Sequence, residues 1–158
     1  MFGVICKYHS HRTTGKNGVQ HRNDSNIEVL DMTEYVFVYG TLMMGFHNHE
    51  SFGFNANTRF VSRAALQGAV MFDMGFYPCI VLTGNPNNMV HGELYHYCDM
   101  ECRERVSIME FGAGFDEEVV TIDGIPASVF VYREKPEGVP WIPGGDWCVY
   151  SGGKANVR

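Results

Sequence analysis

From Tyr35 onward the chain is a succession of short apolar segments cut by Gly, Pro and Asn, a spacing that favours strands over long helices. Val36–Tyr39, Arg59–Ala65, Ala69–Phe72, Cys79–Leu82 and Met89–Tyr97 are rich in β-branched and aromatic residues and read as strands. The run from Asp73 to Pro78 is turn-rich, and Gly84–Asn88 is a loop. One segment has helical spacing: Asp99 can cap Asp99–Met109, whose Cys102, Val106 and Met109 share a face. Glu118–Asp123 and Ala127–Tyr132 form an expected hairpin about Gly124. The closing VPWIPGGDWCVYSGG is too rich in Pro and Gly for regular structure and is expected to pack over the core through its tryptophans. The predicted class is α+β, a small closed mixed β-barrel or strongly curved sheet with short peripheral helices, because closure removes the edges that many short strands would expose.

At 158 residues the chain is long enough for one domain with its own core. Residues 33–158 are expected to form that domain. Residues 1–32 are polar and basic and read as a poorly ordered extension, with Met32 a plausible alternative start. Net charge is −6 and no basic run exceeds two residues, which argues against nucleic acid or an acidic membrane as partner and for a small molecule. Five cysteines, an odd number without a secretory leader, fit a reducing cytoplasm. Cys98 and Cys102 with His91 and His96, or Cys6 with His9, His11 and His21, could be imagined around a metal, but neither spacing matches a ligand pattern, and no metal or cofactor is expected. No apolar run is long enough for a membrane span. The oligomeric state is not legible.

The stretch VFVYGTL (36–42) carries the first functional signal. A buried strand that ends in Tyr39-Gly40-Thr41-Leu42 can present successive backbone N–H groups to an anion or an oxyanion, and Gly40 allows backbone angles that a Cβ resists. The same residues also read as an ordinary strand end.

Together with VFVYGTL, the phrases DMGFYPCIV (73–81), VHGELY (90–95), a helix closing on Glu110, VFVYR (129–133) and GGDW (144–147) occur in an order that resembles the γ-glutamylcyclotransferases and their avirulence-induced-gene-2-like relatives. The resemblance implies a closed β-barrel and conversion of a γ-glutamyl amine or amino acid to 5-oxoproline and the free amine. It implies that the backbone of Tyr39, Gly40, Thr41 and Leu42 binds substrate and that Glu110 is the catalytic acid/base. Cyclisation needs no enzymic nucleophile, because the substrate's own α-amine attacks its γ-carbonyl. What it needs is orientation, oxyanion donors and one carboxyl to carry a proton from the amine to the leaving nitrogen. Apolar neighbours Met109 and Phe111 would raise the pKa of Glu110 toward that task.

Alternation places His91, Glu93 and Tyr95 on one strand face, so Glu93 is a second carboxylate for the pocket or part of the wall. Tyr77 lines the pocket or packs on the core. Two positions depart from the family pattern: Phe115 lacks a phenol hydroxyl at a substrate-binding position, and Glu117 stands in place of a positive charge. An acidic mouth at Glu117 would favour a cationic leaving amine. Cleavage of another γ-linked amide and non-catalytic sequestration of a small ligand are alternatives on the same scaffold.

Overall fold

A computed structural model describes residues 33–152. The extension at 1–32, its histidines and Cys6, and the choice of start at Met32 lie outside the described residues. Two sheets carry the fold. The larger is built around β1 (Tyr35–Val38), which pairs antiparallel with β5 (Met89–Tyr97) and parallel with β7 (Ile125–Val131). β2 (Thr58–Gln67) lies outside β5 and β6 (Asp116–Ile122) outside β7, giving the order β2-β5-β1-β7-β6. As the central strand, β1 is covered on both faces, which is why Val36, Phe37 and Val38 are all apolar and buried instead of alternating.

The smaller sheet is β3 (Ala69–Asp73) between β4 (Pro78–Leu82) and β8 (Trp141–Ile142). Gly68, at φ 81°, turns the chain from β2 into β3, and its corner is held by Asn88 O (2.8 Å) and by the Thr83 N–H (2.7 Å). The two sheets are tied by Tyr132 N–H to Ile80 O (2.9 Å) and His91 N–H to Gly145 O (2.8 Å).

The mixed α+β class holds, but neither sheet closes, so the expected closed barrel is replaced by two open sheets. The outer edge of β2 accounts for part of this. It carries a register shift between Phe60 and Ser62 and the exposed Arg59 and Arg63, features that blunt a strand edge without closure.

The helix on Asp99 is α3 (Met100–Gly112) in the chain order that begins with α1 (His47–Ser51) and α2 (Phe54–Asn57). Asp99 caps it as expected, accepting from Glu101 N (3.1 Å) and Cys102 N (3.3 Å), and Cys102 and Val106 are buried. It runs past Met109, so Glu110 lies in its last turn. The β6–β7 hairpin turns through Asp123 (φ 49°) and Gly124 (φ 80°), the two positive angles of a two-residue loop matched to strand twist.

The Pro/Gly-rich tail is more regular than its composition predicts. It holds β8 and a helix, α4 (Trp147–Ser151), capped by Asp146 on Val149 N (3.0 Å) and ended by Gly152 at φ 59°. Trp147 is buried as expected, whereas Trp141 is exposed.

Gly92 in β5 sits where a Cβ would meet the Val38 carbonyl oxygen and, at 2.7 Å, the Phe37 ring. Neither neighbour can yield without parting β1 from β5. Gly92→Ala should therefore cost about 1–3 kcal/mol or more of unfolding free energy and lower the urea midpoint accordingly. Gly112→Ala, with open space around it, should be neutral or slightly stabilising. Equal midpoints for the two variants would contradict the β1–β5 packing described.

Candidate active site

β1 ends at the mouth of a cavity of about 700 Å³. The chain leaves the strand through Tyr39 and turns at once, with Met43 N–H donating to Gly40 O (3.0 Å). Gly40 does not have a positive φ, and its need for glycine is spatial: a Cβ would stand 2.9 Å from Pro78 Cγ. Three contacts hold the turn from outside. Asn48 Nδ2 of α1 donates to Thr41 Oγ1 (2.9 Å), His49 Nδ1 donates to Leu42 O (2.8 Å), and Met44 N–H donates to Glu93 Oε2 of β5 (2.9 Å). These leave the N–H groups of Gly40, Thr41 and Leu42 without a partner among the described residues. Their residues line the cavity.

The last turn of α3 brings Met109, Glu110 and Ala113 to the same cavity. Beyond it, Phe115 N–H returns to Glu110 O (3.0 Å), so the helix end is closed on the Glu110 backbone. The Glu110 side chain is half-buried, and Tyr39, Tyr77, Phe115 and Phe130 line the same space. Loss of hydration raises its pKa from 4.5 to about 7. Burial, and then the Glu110 charge, raise the pKa of Tyr39 well above the usual phenol range, so the phenol keeps its proton and donates to Phe130 O (2.6 Å). Tyr132 is pushed up to about 12 by burial and by Tyr77; its hydroxyl donates to Ala113 O (3.1 Å) and its ring packs 4.7 Å from Phe115. A carboxyl poised near neutrality thus shares a cavity with the protonated Tyr39 phenol and with apolar rings.

Residues 36–149 match the family described as gamma-glutamyl cyclotransferase, AIG2-like. The chain belongs to that family. A protein of Vibrio cholerae named "Putative gamma-glutamylcyclotransferase" is 27% identical over 125 residues, 74% of this chain and 97% of the relative. Among solved structures, an uncharacterized protein of Pyrococcus horikoshii aligns with TM-score 0.62 at 23% identity, over 80% of this chain and all of that one. An AIG2-like protein of Mus musculus aligns with TM-score 0.53 at 21% identity, over 72% of this chain and 93% of that one. At these identities the structural likeness concerns the fold.

In this AIG2-like chain, seven of the expected site residues line one cavity: Tyr39, Gly40, Thr41, Leu42, Tyr77, Glu110 and Phe115. Glu93 is not among the lining residues. It is buried beneath the loop, where its Oε2 also accepts from Tyr95 OH (2.8 Å). Glu117 is away from the lining as well, and its charge is balanced by Arg103 (Oε1 to Nη2, 2.9 Å), so the acidic mouth expected there is not formed. Around the HGELYHYCDMEC run, His96 Nδ1 and Cys98 Sγ are 3.9 Å apart, Cys102 is buried under α3, and His91 is exposed. Among the described residues no group of three or more His, Cys, Asp or Glu is placed to hold a metal, and no helix is long and apolar enough to cross a membrane.

The lining also holds residues that were not expected at the site, among them His47 and Asn48 of α1, Asp73 at the end of β3, Phe76, and Trp147 and Tyr150 of α4. The cap pair Asp146 and Gly152 was the available signal for α4. Nothing comparable marks α1, whose N-cap is Phe46.

A carboxyl whose pKa rises on folding holds its proton more tightly in the folded chain. Its contribution to stability is complete below pH 4.5 and is lost as pH climbs through about 7. Urea unfolding at about pH 5 and pH 8 should therefore show Glu110→Gln gaining stability relative to the wild type at the higher pH. A difference that is the same at both values would place Glu110 in an ordinary, hydrated setting.

Proposed function

We propose that this protein is a γ-glutamylcyclotransferase that releases 5-oxoproline and a free amine from a γ-glutamyl amine or amino acid. The observation that carries the reading is a single one: a carboxyl with a pKa near 7 and a turn whose three backbone N–H groups have no partner among the described residues belong to the same cavity.

The substrate enters with its α-amine protonated. Glu110, ionised in roughly half of the molecules near pH 7, takes a proton from the ammonium, and the free amine attacks the γ-carbonyl carbon. The new C–N bond closes a five-membered ring and puts negative charge on the carbonyl oxygen. The N–H groups of Gly40, Thr41 and Leu42 are the donors for that oxygen, and each donor of this kind is worth about 100- to 1000-fold in rate. Collapse of the tetrahedral species breaks the bond to the departing nitrogen, which takes the proton back from Glu110; the carboxylate so regenerated accepts the second proton of the ring nitrogen, and the released amine takes that proton up to leave as an ammonium. One carboxyl carries these transfers, so its pKa must lie near the working pH, and burial provides that. Holding amine and carbonyl in ring geometry contributes several kcal/mol more, on the order of 7–11 in well-oriented systems. Tyr77 and Phe115 shape the wall against which the glutamyl methylenes fold.

Glu110→Gln should lower 5-oxoproline release by about 100- to 10,000-fold while leaving 5-oxoproline binding within a few fold. In the wild type, kcat/KM should rise with pH through an inflection near 7, the value set by Glu110, with no corresponding limb in any residual activity of the variant. Full activity in Glu110→Gln, or absence of 5-oxoproline across a panel of γ-glutamyl compounds, would overturn the assignment.

A further inference from the structure

Asp73 closes β3 at the rim of the cavity, and neither the loop chemistry nor Glu110 uses it. Its two oxygens are fixed from different directions: Oδ1 accepts from Gly75 N–H (2.7 Å) and Oδ2 accepts from Tyr150 OH (3.0 Å). Each bond uses one lone pair, so the carboxylate keeps acceptor capacity while its orientation is set. No Lys or Arg lines the cavity among the described residues, and no cation is within ion-pair distance of Asp73 among them. Lys135, beside this strand, sits 5.8 Å over the ring of Phe72, and alternation puts the Phe72 side chain on the opposite face of β3 from Asp73.

Aromatic faces surround this carboxylate. Phe76, on the turn that Gly75 makes at φ 100°, is 94% exposed although it lines the cavity. Tyr150 stacks on Trp147 (centroids 5.9 Å, planes 29° apart), and both line the cavity. Aromatic faces beside a lone carboxylate suit an alkylammonium group: the rings cover its methylenes, their π-faces attract the cation, and the carboxylate accepts its N–H. A carboxylate-bearing leaving group would meet Asp73 with like charge and find no cation.

We propose that Asp73, with Tyr150 and Phe76, forms the leaving-amine subsite, and that the substrate is a γ-glutamyl conjugate of a diamine or polyamine whose second nitrogen is a free ammonium. This rests on the cyclisation reading above and narrows it from γ-glutamyl amines in general to those with a cationic, carboxylate-free leaving group. The negative charge expected at Glu117 is thereby supplied from another element.

Three four-carbon conjugates test it: mono-γ-glutamyl derivatives of 1,4-diaminobutane (cationic), butylamine (neutral) and 4-aminobutanoate (anionic). With wild-type protein, kcat/KM for 5-oxoproline release should follow that order, the cationic conjugate exceeding the neutral one by about 10- to 100-fold. Asp73→Asn, whose Oδ1 still accepts from Gly75 N–H and whose Nδ2 donates to the Tyr150 hydroxyl oxygen, should bring that ratio to near one, and Asp73→Lys should move the preference toward the anionic conjugate. Equal wild-type rates on the three, or a ratio that survives Asp73→Asn, would overturn the subsite while leaving the cyclisation intact. Calorimetry with 1,4-diaminobutane and butylamine separates the two claims. Tighter binding of the diamine that Asp73→Asn removes, with no 5-oxoproline from any conjugate, would sustain the subsite and sink the reaction. No preference for the diamine over butylamine together with no turnover would sink both.

Discussion

The backbone between Tyr39 and Met44 must be held in one shape for anything at this cavity to work. Free N–H groups in a turn are usable as donors only if the turn cannot relax and pair them elsewhere. The strongest restraint is the Met44 N–H bond to Glu93. A bond to a buried carboxylate is worth about 1.5–3 kcal/mol, whereas the neutral bonds from Asn48 and His49 contribute about 1 kcal/mol each. Glu93 is itself oriented by Tyr95, whose phenol is held protonated by burial and by the Glu93 carboxylate. The carboxylate that strand alternation marked as a candidate for the pocket thus serves the loop from beneath.

A second constraint is the close approach of the smaller sheet. Gly40 lies so near Pro78 that no side chain fits between them, which brings the β3–β4 turn with Asp73, Phe76 and Tyr77 to the strand end. The two sheets are open, and yet a hollow persists because the loop after β1, the last turn of α3, the β3–β4 turn and α4 converge on one space. Closure of the barrel is unnecessary for that.

Much of this was legible before any coordinates. The strands from Tyr35 to Tyr97 and the β6–β7 hairpin follow from β-branched runs and Gly punctuation, and Asp99 announced α3 through its cap. Periodicity could not find α1, α2 or α4, since a helix of four or five residues makes barely more than one turn. Those short helices carry His47, Asn48, Trp147 and Tyr150, so the sequence showed the loop and Glu110 but not these further residues of the cavity wall. Charge was the other blind spot. Glu117 read as an unpaired acid until Arg103, in the first turn of α3, proved to neutralise it, while Asp73, inside a turn-rich phrase, carried no pattern at all.

The account stands on Glu110 and the turn N–H groups addressing one ligand. A single NMR titration of labelled protein with 5-oxoproline measures this directly, following the amides of Gly40, Thr41 and Leu42 and the side-chain carboxyl carbon of Glu110 together. The account predicts that all four move with one dissociation constant and that the Glu110 carbon of the free protein titrates near pH 7. Amides that shift while Glu110 stays silent, or a Glu110 midpoint near 4.5, would mean that the carboxyl and the turn do not act on the same molecule.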